Sequence, residues 1–139
     1  MSSRKSPGKA PERLLTEVEL ELMTILWQCE GGQGGTVGEV QGRLPAGRPL
    51  AYTSISTILR ILEQKGVVRA EKIGRGHRYV PRVSRDQYQA LALEDVVGRV
   101  FDGQPMELVR RLVDAEQLDD RDIAALKALI MARAKGSRS

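Results

Sequence analysis

The sequence predicts a mainly α-helical chain with a small β-hairpin set between two groups of helices. Two observations carry this. Ala51 to Gly66 places Ile55, Ile58, Leu59 and Leu62 at helical spacing and closes on a glycine. Directly after it, Val67 to Pro81 reads as a hairpin around the basic tip Gly74-Arg75-Gly76. Aromatic residues make up only 4% of the chain, so the core must come from Leu, Ile, Val and Ala, which suits helices.

Each element has its own signal. Residues 1–12 hold two prolines and no periodic apolar residue, and read as a disordered basic tail. Thr16-Glu17-Val18-Glu19 is a capping box, in which the Thr hydroxyl and the Glu carboxylate satisfy free amides of a first turn. Val18, Leu22, Ile25 and Leu26 then form a buried stripe that ends near Cys29. Gly31 to Gly35 reads as a flexible connector, since no Lys-Ser/Thr follows to make a phosphate-cradling loop. A second capping box, Thr36-Val37-Gly38-Glu39, opens a short helix with Val37, Val40 and Leu44. Pro45 to Pro49 turns the chain into the third helix, and Gly66 is its left-handed cap. Three helices and then a hairpin, over residues 13–82, are the element order of a winged helix-turn-helix domain.

Residues 83–135 read as helical. Ser84-Arg85-Asp86-Gln87 is a third capping box, with Leu93, Val96, Val97 and Val100 behind it. Gly103 and Pro105 break the chain before a short helix with Met106, Val109, Leu112 and Val113. Asp119 or Asp120 caps a last helix holding Ile123, Leu126 and Ile130; the carboxylates of Asp119, Asp120 and Asp122 suit a helix start better than an ion site. Three short amphipathic helices cannot enclose a core by themselves. They either lie on the first domain or pack against a second copy. The second copy is the preferred reading, with Val97, Val109, Leu112, Leu126 and Ile130 as the dimerising residues.

Charge separates the halves. Residues 1–83 hold thirteen Lys/Arg against eight Asp/Glu, and residues 84–139 hold nine against ten. The basic half therefore suits nucleic acid and the balanced half does not. No apolar run is long enough to span a membrane and no signal-peptide segment opens the chain, so a cytoplasmic location without membrane insertion is expected. With one Cys and one His (Cys29 and His77), neither a metal set nor a nucleophile–base pair can be assembled. No catalytic residue, metal or cofactor is expected. His77 reads as structural or phosphate-contacting, and Cys29 as a small core residue.

At about 100° per residue, the third helix turns Thr53, Thr57, Arg60 and Gln64 away from its apolar face. Thr53, Ser54 and Thr57 are short enough to let the backbone approach the major groove of double-stranded DNA. Their hydroxyls suit phosphates or base edges and their methyls suit thymine. Arg60 suits a guanine edge or a phosphate. Arg75 at the wing tip, helped by Lys72 and Arg78, would lie over the neighbouring backbone or in the minor groove. The competing reading is a winged helix that docks on a protein without binding DNA directly.

With these residues in hand, the chain resembles the penicillinase-repressor-type (BlaI/MecI/CopY) family of transcription factors. The likeness runs from about Leu15 to Ile130. It rests on Leu15-Thr16-Glu17-Val18-Glu19 with Leu26-Trp27, on Thr36 to Val40, on Ala51 to Ile55 running to Lys65-Gly66-Val67-Val68, on Gly74-Arg75 through Tyr79-Val80-Pro81, and on Leu108-Val109 with Leu118 and Asp119. The resemblance implies a homodimeric repressor on a palindromic operator, released when a membrane sensor metalloprotease cleaves its dimerisation region. Two departures stand out. Ile61 occupies a place where the family usually has Arg, and Val109-Arg110-Arg111-Leu112 stands where better-studied members are cut at an Asn-Phe bond. The single Cys is too few for the cysteine-rich C-terminus of copper-responsive members.

Overall fold

The computed structural model describes residues 14–29 and 33–137, so the tail expected over residues 1–12 and part of the glycine connector lie outside it. The elements run α1 (Glu17–Gln28), β1 (Gly35–Thr36), α2 (Val37–Arg43), α3 (Tyr52–Gln64), β2 (Val68–Ile73), β3 (Gly76–Pro81), α4 (Arg85–Val100), α5 (Pro105–Asp114) and α6 (Asp120–Ser137). The chain is mainly helical with a small antiparallel sheet, as its capping boxes and hairpin signal imply. Two compact units divide between Glu94 and Asp95.

The helix starts follow their local chemistry. In α1, Thr16 Oγ1 accepts from the Glu19 amide at 3.2 Å while the Thr16 amide donates to Glu19 Oε1 at 2.9 Å. Thr36 and Glu39 repeat the arrangement in α2. Leu22, Met23, Ile25 and Leu26 make the buried stripe of α1. Val18, expected in that stripe, is only half-buried, and Glu19 is buried instead. The reason is tertiary: an ammonium from the end of α3 meets the Glu19 carboxylate and makes its burial tolerable.

Helix α3 buries Ile55, Leu59 and Leu62 completely and Ile58 by half. It closes in a Schellman motif. The Val67 amide bonds Leu62 O, the Gly66 amide bonds Glu63 O, and Gly66 takes φ +84°.

Strand β3 is central in the order β1-β3-β2. The hairpin is tighter than expected, because Ile73 pairs with Gly76 and leaves only Gly74-Arg75 in the turn. Gly74 supplies φ +59° at the first turn position, which a type II′ hairpin requires. The sequence reading contained no counterpart of β1, which pairs Gly35 with Tyr79 and Thr36 with Arg78. Two residues are too few for any alternation to register. Part of the supposed connector is thus built into the sheet. Gly34 has φ +80°, and a Cβ there would sit 2.0 Å from the Tyr79 carbonyl oxygen.

One hydrophobic core joins α1, α2, α3, β2 and β3 with Val83 and Tyr88. The Trp27 indole donates to Val83 O at 2.8 Å, and the Leu15 amide donates to the Tyr88 hydroxyl at 3.0 Å. Ser84 and Gln87 form the third capping box. The first turns of α4 therefore belong to the first compact unit, which extends beyond residue 82, where the sequence suggested a boundary.

In the second unit, Asp102 and Gly103 adopt positive φ and Pro105 begins α5. Asp119 caps α6, since its Oδ1 accepts from the Asp122 amide at 2.8 Å while its own amide donates to Asp122 Oδ2. No described residue from Asp95 onward is buried. Among the described residues, no helix is long and apolar enough to cross a membrane.

Candidate nucleic-acid interface

The outward side of α3 carries Thr53, Ser54, Thr57 and Arg60, all exposed, on the side of the helix away from Ile55, Leu59 and Leu62. The same rigid element thus presents four of the expected contact residues together. Tyr52, Ile61 and Gln64 are exposed with them. The first two were not foreseen as surface residues of this face, although the 100° helical angle was a sufficient signal for Ile61 beside Thr57. Helix α3 has no acidic residue in its first turn, unlike α1 and α2. Its positive dipole end is therefore unopposed by local carboxylates.

At the wing, Lys72 and Arg75 are exposed and form no ion pair with a described residue; Arg60 likewise forms none. Opposed residues of an antiparallel pair share a face. Lys72 pairs with His77 and so lies on the face of Ala70 and Tyr79, whereas Arg78 pairs with Glu71 on the opposite face. There the Arg78 guanidinium donates to Gly34 O at 3.4 Å and to Glu39 Oε1 at 3.5 Å. The structure thus brings Lys72 and Arg75 together near the wing tip and separates Arg78 from them. Period-two alternation alone was enough to find that separation.

Tyr79 is a buried member of the hydrophobic core. Burial pushes its phenol above the ordinary value, Glu63 and Tyr52 push the same way, and Arg60 opposes them. The Tyr79 phenol therefore stays neutral within the hydrophobic core. At the first turn of α1, burial by itself would raise the Glu19 carboxyl. Hydrogen bonds from Lys65 and the Thr16 amide, together with the Lys65 charge, outweigh it and hold the carboxyl below its ordinary range. Sequence reading missed this pair because 46 positions separate its members.

Cys29 is buried, as its place at the end of an apolar helix implies. His77 is exposed on β3 with its ring centroid 6.3 Å from that of Tyr79. Of the expected dimerising residues, Val97, Val109, Leu112 and Leu126 are half-buried within the chain and Ile130 is 57% exposed.

The family model of the penicillinase repressor matches residues 15–132, which takes in both compact units. The chain belongs to the penicillinase repressor family. It is 32% identical over 109 residues to the transcriptional regulator BlaI of Mycobacterium tuberculosis strain CDC 1551 / Oshkosh, covering 78% of this chain and 78% of that protein. The BlaI regulator of strain ATCC 25618 / H37Rv matches to the same extent. This penicillinase repressor family member is accordingly a transcriptional repressor.

Proposed function

We propose that the protein represses transcription as a homodimer whose two winged helices bind a palindromic operator in double-stranded DNA. The exposed face of α3, with Thr53, Ser54, Thr57 and Arg60 and no first-turn acid, is the observation that carries the reading. An α-helix of about 10–12 Å diameter fits a major groove about 12 Å wide. In this reading the hydroxyls and Arg60 address base edges and near phosphates. Lys72 and Arg75 hold the neighbouring backbone through contacts that position the helix without reading sequence. Arg78, turned to the other face and engaged with Gly34 and Glu39, supports the wing's shape and contributes less to DNA than its position in the sequence suggests.

Dimerisation through residues 83–135 is supported by the lack of any buried residue from Asp95 onward among the described residues. Apolar side chains such as Val100, Met106, Leu129, Ile130 and Met131 are more than half exposed in the single chain, and a second copy would cover such a set. Release by a membrane sensor metalloprotease is part of the same reading. The chain contains no asparagine, so cleavage here would use a bond other than Asn-Phe.

A footprint of the full-length protein on DNA upstream of its own gene tests the proposal. A protected palindrome is expected, with affinity falling steeply as salt rises because counterions return to the phosphates. Absence of protection, or affinity indifferent to salt, overturns it in favour of a protein-docking winged helix.

A further inference from the structure

Ile55, Leu59 and Leu62 of α3 are buried and Ile58 is half-buried, but Ile61 is 36% exposed although it adjoins Leu62 in the chain. Helical angle gives the reason. At about 100° per residue, Thr57 stands about 40° and Ile61 about 80° round the helix from Thr53. Thr53, Thr57 and Ile61 are successive members of an i, i+4, i+8 row, and each of these side chains ends in a methyl group. Arg60 and Gln64 lie within about 20° of Thr53 and form the polar middle of the face. Tyr52, which is 56% exposed, and the acidic Glu63 fall on the other side of Thr53, away from Ile61. The outward face of α3 is therefore polar along its middle and carries methyl groups along one edge.

We infer that Ile61 is a specificity-determining residue that reads the methyl group of a thymine in the major groove, beside the base addressed by Thr57. The inference rests on the operator reading above and adds a base choice to it. In the major groove thymine is marked by its C5 methyl, which takes an apolar contact, whereas cytosine presents an amino donor and no methyl. The Ile61 side chain has no polar atom to accept that donor, so its contact favours thymine. It also has no charge for a phosphate, and its contribution is free of the salt dependence carried by Arg60, Lys72 and Arg75. In the free protein its methyls stand in water, and a thymine methyl laid against them removes apolar surface from water on both sides. The spacing fits as well. One i+4 step advances about 6 Å along the helix, against about 3.4 Å between successive base pairs, so Thr57 and Ile61 meet different base pairs. Single exposed apolar residues are common on protein surfaces. Ile61 is set apart by its place in one row with Thr53 and Thr57, on the face that carries Arg60.

The test uses the full-length protein and the footprinted operator, with each thymine replaced in turn by uracil at the symmetry-related positions of both half-sites. Each replacement removes a methyl group and nothing else. At one position the wild type should bind about fifteenfold more weakly, since one buried methyl is worth about fourfold and a palindrome presents it twice. Ile61→Ala should bind thymine and uracil at that position within about twofold of each other, while keeping the wild-type response at the position read by Thr57. Ile61→Val, which keeps a branched side chain, should retain most of the discrimination. Alanine is the better helix former and the site is exposed, so the alanine variant should unfold no earlier than wild type. If every uracil response of the wild type persists in Ile61→Ala, the inference is overturned, even where that variant binds more weakly throughout, and the operator reading stands. If the wild type binds none of these duplexes, the operator reading itself fails and takes the inference with it.

Discussion

Lys65 Nζ lies 2.7 Å from one carboxylate oxygen of Glu19 and 2.9 Å from the other, joining the C-cap of α3 to the first turn of α1. The same carboxylate receives the Thr16 amide, so one side chain closes the start of α1 and anchors the end of α3. A buried carboxylate that receives three hydrogen bonds, two of them from one ammonium, is held ionised, and its protonation must weaken the fold.

Glu19→Gln keeps an oxygen for the Thr16 amide and removes the charge. It should cost about 1–3 kcal/mol at neutral pH, measured by urea unfolding. The Glu19 carboxyl titrates below its ordinary value of 4.5 in the folded protein. Its contribution is therefore complete above that value and is lost as pH falls through the lowered one. The gap between wild type and variant should close with acid from about pH 4.5 downward. A gap that widens with acid would show that the ion pair does not stabilise the fold.

Arg75, Arg78 and Thr57 should separate in DNA binding. Arg75→Ala is expected to weaken binding to all sequences and to reduce the salt slope by about one phosphate contact. Arg78→Ala should leave the slope unchanged, because its guanidinium is directed to Gly34 and Glu39. Thr57→Ala should instead alter the preference at one base position by about 1 kcal/mol, read by competition with single-base operator variants. Equal effects from all three would refute the division between helix and wing.

Gly34→Ala should destabilise the first unit by about 2 kcal/mol or more, through the positive φ and the clash with the Tyr79 carbonyl. Thermal unfolding measures it. Gly38→Ala is the control, since the nearest atom to its added Cβ is 4.0 Å away. Similar unfolding temperatures for the two variants would show that the entry to β1 does not need a glycine at position 34.

Ile130→Glu should convert the protein to monomers in sedimentation equilibrium. Ile130 is 57% exposed in the single chain, so the charge disturbs little within the chain itself. Leu126→Glu should act in the same direction, with some loss of helix content because Leu126 is half-buried. A dimer that persists in Ile130→Glu would move the interface away from the end of α6.

Much of the fold was legible because its signals are local. Thr16 with Glu19, Thr36 with Glu39 and Ser84 with Gln87 each fix a helix start within four residues, and Gly66 ends α3 where a left-handed residue is needed. The exposed face of α3 follows from helical angle, which needs no knowledge of the partner that buries Ile55 and Leu59. Strand β1 was not legible: its two residues acquire meaning only from Tyr79 and Arg78 on β3. Nor could spacing identify Glu19 as a buried charge, because its partner comes from a different helix.

By itself the sequence determined the order of helices and hairpin, the residues turned outward on α3, and the likeness of the stretch from about Leu15 to Ile130 to penicillinase repressors. These depend on periodicity, capping and glycine, which act over a few residues. The tertiary structure alone decided that Lys65 neutralises Glu19, that Arg78 turns away from Lys72, and that Trp27 and Tyr88 hold the root of α4. Those are contacts between elements, and no local rule specifies which surfaces meet when each helix can bury its apolar stripe in more than one way.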